Sequence, residues 1–155
     1  AGTCYPFINL PNDPIADGPF GSTNGELWGE DASTTKTITG LPEKDMIIYS
    51  RSVEYGKETS NYDKGVVIFR HTKYNLVFIG DAGFISQRGI SFSNTICPFM
   101  INRTEAGGKF IQELPLNFPI PKKEYKYPVY NSVFFANALA WIIDRAEFTG
   151  INSGK

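Results

Sequence analysis

Apolar residues gather in four places along this chain, and the stretch Lys64 to Phe84, KGVVIFRHTKYNLVFIGDAGF, holds two of them. Val66-Val67-Ile68-Phe69 is β-branched and nearly unbroken, the mark of a strand covered on both faces. Arg70 to Asn75 is short and polar, and Leu76-Val77-Phe78-Ile79 returns. So short a connection makes the pair, near 66–70 and 76–80, an antiparallel hairpin. Met46-Ile47-Ile48-Tyr49-Ser50 predicts a further strand near 46–50. The fourth cluster predicts one long helix near 132–147. Its residues Val133, Phe134, Ala138, Leu139, Trp141, Ile142, Ile143 and Ala146 cover more than one helical stripe, so the helix is expected to lie buried on the sheet. Asn131 or Ser132 is expected to cap it through a side-chain oxygen. Asp144, Arg145 and Glu147 mark its exposed side, and Gly150 its end.

The remainder is polar and heavily punctuated. Pro6, Pro11, Pro14 and Pro19, with Gly18, Gly21, Gly25 and Gly29, exclude a long helix or strand from residues 1–45. Asn12-Asp13-Pro14-Ile15 opens a turn in which the Asx side chains bond the local backbone. Thr34 to Thr39 is short and β-prone. Residues 51–63 read as a surface loop. Between 89 and 130, Pro98, Gly107, Gly108, Pro115, Pro119, Pro121 and Pro128 leave short pieces. Lys109 to Leu114 reads as an edge strand or a helical turn, and 122–127 as a solvated rim. The expected fold class is α/β, or α+β if the chain stands alone: sheet strands near 46–50, 66–70 and 76–80, a covering C-terminal helix and long irregular loops. Residues 1–150 form a single domain in this reading, and 151–155 a loose tail.

Composition narrows the function classes. At 155 residues, 41% hydrophobic and 20% charged, the chain can build a real core. A net charge of −1 gives no electrostatic case for a nucleic-acid partner. No run approaches the length of a membrane span. Cys4 and Cys97 lack any metal-ligand spacing and read as small buried hydrophobes, or as one disulfide in an oxidising compartment. With a single histidine, no metal site and no cofactor are expected. Asn102-Arg103-Thr104 matches a glycosylation sequon, which would carry no weight if the chain is bacterial, as its composition leads one to expect. The abundance of Tyr, Phe, Gly and Pro leans towards an exported bacterial protein, periplasmic or at the cell surface. The opening Ala1-Gly2-Thr3-Cys4 reads as a processed product or a piece of a longer protein.

Two segments then stand out together. LVFIGDAGF ends a strand in a Gly-Asp turn, and NSVFFANALAWI begins a helix with Asn131, followed by Phe134, Phe135, Asn137, Ala138, Leu139 and Trp141. This pairing resembles the closing half of class I glutamine amidotransferase-like domains, a flavodoxin-like family. Asn12-Asp13-Pro14-Ile15-Ala16-Asp17-Gly18 is similar to the turn after that family's central elbow, with Asp13 where His is usual. The resemblance touches about half of the chain and implies a fold more than an activity. It also implies that the early strands of such a sheet, possessed by other members, precede Ala1, so that other domains or parts of a longer chain are candidate partners.

The chemistry follows from what is present and what is missing. A nucleophilic elbow needs Cys, His and an acid in reach of one another. Cys4 and His71 are the candidates, yet His71 sits in a hairpin turn and the family's late His-x-Glu pair is absent. The balance leans against an enzyme. The expected function is a non-catalytic binding or scaffolding domain with a glycan or small molecule as candidate ligand. Trp28 would serve as stacking platform, and Glu30, Asp31 and Asp81 as acceptors for ligand hydroxyls. The alternatives are a Cys4-dependent hydrolase or amidotransferase-like enzyme, and a purely structural accessory domain.

Overall fold

The computed structural model describes residues 4–30, 35–56, 65–81, 83–85 and 127–146 in full, and the backbone at 99–102 and 109–112. Asp31, Cys97, Arg103, Thr104, Arg88, Glu147, Gly150, residues 122–126 and the tail 151–155 lie outside the described residues.

The central layer is a three-stranded antiparallel sheet in the order β5 (Met46–Arg51), β6 (Val66–His71), β7 (Val77–Ile79). The hairpin expected from the apolar runs is present, with Ile68 opposite Ile79 and Arg70 opposite Val77. β6 is buried from Val66 through Phe69 because both of its faces are covered. Ile68 joins the main core, while Val66 and Phe69 join a second cluster with Met46. Strict alternation would not give this division. The register explains it: β5 carries one extra residue between Ile48 and Ser50, and β6 one between Ile68 and Val66. These two bulges re-aim Tyr49 and Val67, and both join the main core. The Tyr49 carbonyl accepts a hydrogen bond from Ile8 N–H at 2.7 Å, which ties the N-terminal segment to β5.

That segment folds as two small antiparallel pairs. β1 (Cys4–Pro6) pairs with β4 (Leu27–Gly29), and β2 (Asp17–Gly18) with β3 (Gly21–Ser22). Residues 36–38 fill the sheet position that β7 vacates. Ile38 bridges Val66, and Lys36 N–H donates to the Gly80 carbonyl at 2.6 Å. A Cβ at Gly80 would collide with the Lys36 carbonyl, so only glycine fits there. Between these parts lies a single 3-10 turn, Glu43–Asp45. Further along, β8 (Phe99–Asn102) pairs with β9 (Lys109–Gln112), which settles 109–112 as strand. Every described strand pairing is antiparallel, so the architecture is α+β with a helix packed on sheet.

That helix is α1 (Asn131–Asp144). Phe134 is fully buried, with the rings of Phe7, Tyr49 and Phe84 at 5.1, 5.0 and 6.0 Å. The capping expectation is corrected: Tyr130 holds the N-cap position, and no side-chain cap forms. The Asn131 carboxamide turns into the core instead. Its Oδ1 accepts from Gly29 N–H at 2.8 Å, and its Nδ2 donates to the carbonyls of Gly29 and Phe84 at 2.9 and 3.1 Å. About 9 Å further along the axis, Asn137 repeats the arrangement. Its Nδ2 donates to the carbonyls of Ile15 and Gly21 at 2.9 and 2.8 Å, and its Oδ1 accepts from Phe20 N–H at 2.9 Å. Gly18 lies so close to this carboxamide that a Cβ would strike it. Leu139 and Ile143 correct a second expectation, since they face solvent at 41% and 70% exposure.

Removing the Asn137 carboxamide takes the partner from one buried backbone group, the Ile15 carbonyl, and from two part-buried ones, the Gly21 carbonyl and the Phe20 N–H, at roughly 1 kcal/mol each. Asn137→Ala is therefore expected to lose about 3 kcal/mol in urea denaturation, whereas Leu139→Ala on the exposed face loses about 0.5 kcal/mol.

Candidate functional site

Two of the expected ligand-binding residues meet at one rim, where β4 ends and the strand after Ile79 turns. The Glu30 carboxylate accepts from Tyr5 hydroxyl at 3.0 Å and from Thr35 N–H at 3.1 Å. The Thr35 hydroxyl donates to Asp81 at 3.3 Å. Asp81 also accepts from Gly83 N–H at 2.6 Å, which is the turn-capping role that a carboxylate between glycines invites. Thr35 thus bridges Glu30 and Asp81. Burial first, and then the Glu30 carboxylate, push the Tyr5 phenol well above its ordinary value, so it stays protonated and donates.

Trp28 is not available as a platform. It is fully buried, and its indole N–H donates to Ser50 Oγ at 2.8 Å. Tyr5 stacks on one side of it at 4.6 Å, and Phe84 leans on it at 5.6 Å. An apolar ring with one satisfied donor gains most from a dry core, so Trp28 takes the place of a lid on the core rather than of a stacking platform. Tyr5, which donates to Glu30 through its hydroxyl and stacks on Trp28, brings an aromatic ring to this rim.

Cys4 and His71 stand apart. Cys4 is buried in β1 opposite Gly29. Burial pushes its thiol up, a hydrogen bond with the Tyr127 backbone offsets part of this, and Glu54 adds to the rise. A raised thiol is a weak nucleophile at neutral pH. His71 ends β6 opposite Met46, in another sheet. Its Nδ1 accepts from the backbone N–H groups of Lys73 and Tyr74 at 3.0 and 3.3 Å, so the ring closes its own turn. Among the described residues no contact joins these two side chains, and no group of three His, Cys, Asp or Glu stands close enough to hold a metal ion. No helix among them is long and apolar enough to cross a membrane.

Protein-family models, curated proteins and solved structures yield no match to this chain.

A polar network unforeseen from the sequence lies under α1. Asp13 accepts from the backbone N–H of Ile15 and Ala16 at 2.9 and 3.1 Å, from Tyr49 hydroxyl at 2.8 Å and from Arg70 Nη2 at 2.9 Å. Arg70 Nε donates to the Tyr49 hydroxyl at 2.9 Å, and its guanidinium lies 5.2 Å from the Trp141 ring centre. Burial alone would raise the Asp13 carboxyl. The two amides, the tyrosine and the arginine together outweigh it and hold the carboxyl below its usual value. The signal was present at Arg70, which alternates onto the same face as Ile68 and so points inward. An inward guanidinium needs an acid.

The network sets a pH dependence. A carboxyl whose folded pKa is depressed stabilises the fold fully above the ordinary aspartate value, near 4, and loses that contribution as pH falls through the lower folded value. Stability measured by urea denaturation is therefore expected to decline below about pH 4, and Asp13→Asn should flatten that decline. Arg70→Met strands the carboxylate and is expected to cost about 3 kcal/mol at pH 7.

Proposed function

We propose that this chain is a non-catalytic, amidotransferase-like binding or scaffolding domain of an exported bacterial protein. The supporting observation is the pair of carboxamides on α1. Asn137 holds the turns that follow the Asn12–Gly18 segment's start, through Ile15, Phe20 and Gly21. Asn131 holds Gly29 and the carbonyl of Phe84, just after the Gly80-Asp81 turn. The three sequence segments that carry the family resemblance therefore meet in space, and two asparagines of the helix motif join them. The strand pairing does not add to this reading, since flavodoxin-like sheets are mostly parallel.

The binding reading rests on the rim of Tyr5, Glu30, Thr35 and Asp81. An aromatic ring beside the part-buried Glu30 carboxylate suits a hydroxyl-rich ligand, because sugar rings stack on aromatic faces and their hydroxyls donate to carboxylates; Asp81 is buried at 5% exposure and holds Thr35 from behind. The non-catalytic reading rests on the raised Cys4 thiol and on the use of His71 Nδ1 by its own turn.

Two measurements test these parts separately. Titrating a glycan panel against wild type and Glu30→Gln should reveal at least one ligand that the variant binds about tenfold more weakly. Equal binding by both proteins, or none by either, removes the rim as a glycan site. In the folded protein, Cys4 alkylation by iodoacetamide should stay slow until the pH exceeds the ordinary thiol value of about 8.5. Fast labelling near neutral pH would restore the thiol-enzyme reading.

A further inference from the structure

β7 stands at one end of the central sheet, next to β6 alone. Gly80 N–H donates to the Val67 carbonyl at 2.9 Å, and His71 N–H to the Leu76 carbonyl at 3.0 Å. Along an antiparallel pair, residues that bond inward alternate with residues that face outward. Leu76, Phe78 and Gly80 therefore turn their peptide groups towards β6, and Val77 and Ile79 turn theirs away. Among the described residues nothing bonds to the outward N–H and C=O groups of these two. The opposite end of the sheet is covered, since Ile8 N–H donates to the Tyr49 carbonyl of β5. Bare sheet edges are commonly guarded by a charge, a proline or a bulge. The run Leu76 to Gly80 has none of these. Apolar exposure gathers beside it. Tyr74 and Ile143 are the two most exposed large hydrophobic residues among those described, and Leu76 is exposed as well. Asn75 Nδ2 joins their segments by donating to the Ile142 carbonyl at 2.9 Å.

We propose that β7 pairs antiparallel with β7 of a second copy of this chain, across a two-fold axis at Phe78. The register follows from the alternation. Val77 of one copy lies opposite Ile79 of the other, and each exchanges its outward N–H and C=O with its partner. Shifting the pairing by two residues would set Val77 or Ile79 against the turn or against the chain leaving the sheet at Gly80. In the symmetric register the two Phe78 residues form the close, non-bonded pair. Phe78 already stacks on Phe69 at 5.3 Å, so the rings of both copies extend one aromatic row. On the other face Val77 and Ile79, which pack against the main core, continue its apolar surface across the axis. An uncharged strip suits a copy of itself, because no like charges meet. A two-fold contact also closes on itself and leaves no bare edge at β7 for further growth.

The experiment is sedimentation of the full chain from about 10 μM to about 1 mM, with amide hydrogen exchange read by NMR at both ends of that range. A dimer with a Kd of about 100 μM or tighter is expected. On association the Val77 and Ile79 amides should slow about tenfold, while the inward Phe78 amide is protected at both concentrations. Val77→Pro removes an outward N–H that β6 does not use, and should weaken the dimer at least about tenfold. Leu76→Lys, at an exposed position, places a charge at the edge of each copy and should weaken it by about as much. Protection of the Phe78 amide reports that each variant stays folded. A monomer at about 1 mM overturns the proposal and leaves the edge to a strand of another protein. So does a dimer in which the Val77 and Ile79 amides exchange as fast as on dilution, or one that Leu76→Lys leaves unweakened.

Discussion

A loop packed against a core must find partners for its own peptide groups, because buried N–H and C=O groups left alone are costly. Residues 10–30 contain no long strand that could pair with itself. Besides their short pairings with one another and with β1, several of them find partners on a helix more than a hundred positions away in sequence, where one carboxamide serves Ile15, Phe20 and Gly21 and another serves Gly29 together with Phe84 from outside this segment. A carboxamide suits this task, since it donates and accepts at once in a geometry like that of the peptide group it replaces.

The aromatic core and the charged network both depend on this placement. Phe134 lies in the turn of helix between the two asparagines, and Phe7, Tyr49 and Phe84 close around it from three different segments. The bulge that turns Tyr49 inward also brings its hydroxyl to Asp13 and Arg70. Tyr49 is thereby apolar packing at its ring and a hydrogen-bonding hub at its tip. The Asp13–Arg70 pair is enclosed, with both side chains mostly buried. Two amides and a phenol help to satisfy it, which makes such enclosure tolerable.

Much of the sheet and helix was legible because their signals are periodic. The runs at 46–50, 66–70 and 76–80 could hardly be anything but strands, and the greasy stretch after Tyr130 could only be a helix. Contacts between distant segments were not legible in the same way. Asn131 at the start of a helix reads as a cap, since local geometry favours that role, and tertiary demand overrode it. Trp28 beside acidic residues reads either as a lid on the core or as a binding surface, and burying a large ring outweighs exposing it. The Leu139 and Ile143 positions failed for the opposite reason: hydrophobicity alone does not say which side of a helix meets the sheet. Glu30 and Asp81 were singled out one by one, and only Thr35, from an unremarkable β-prone run, reveals that they share a rim.

The separation between the carboxamides and the loops they hold has a temporal side. Ile15 and Asn137 are 122 positions apart. During translation at about 5–20 residues per second, the Ile15 carbonyl would leave the ribosome several seconds before Asn137 is made. Throughout that interval the emerging N-terminal turns lack their acceptor and donor, while the β5–β6–β7 hairpins, built from neighbours, can already form. In that interval the nascent chain has every strand of its central sheet but not the helix side chains that its N-terminal turns bond to.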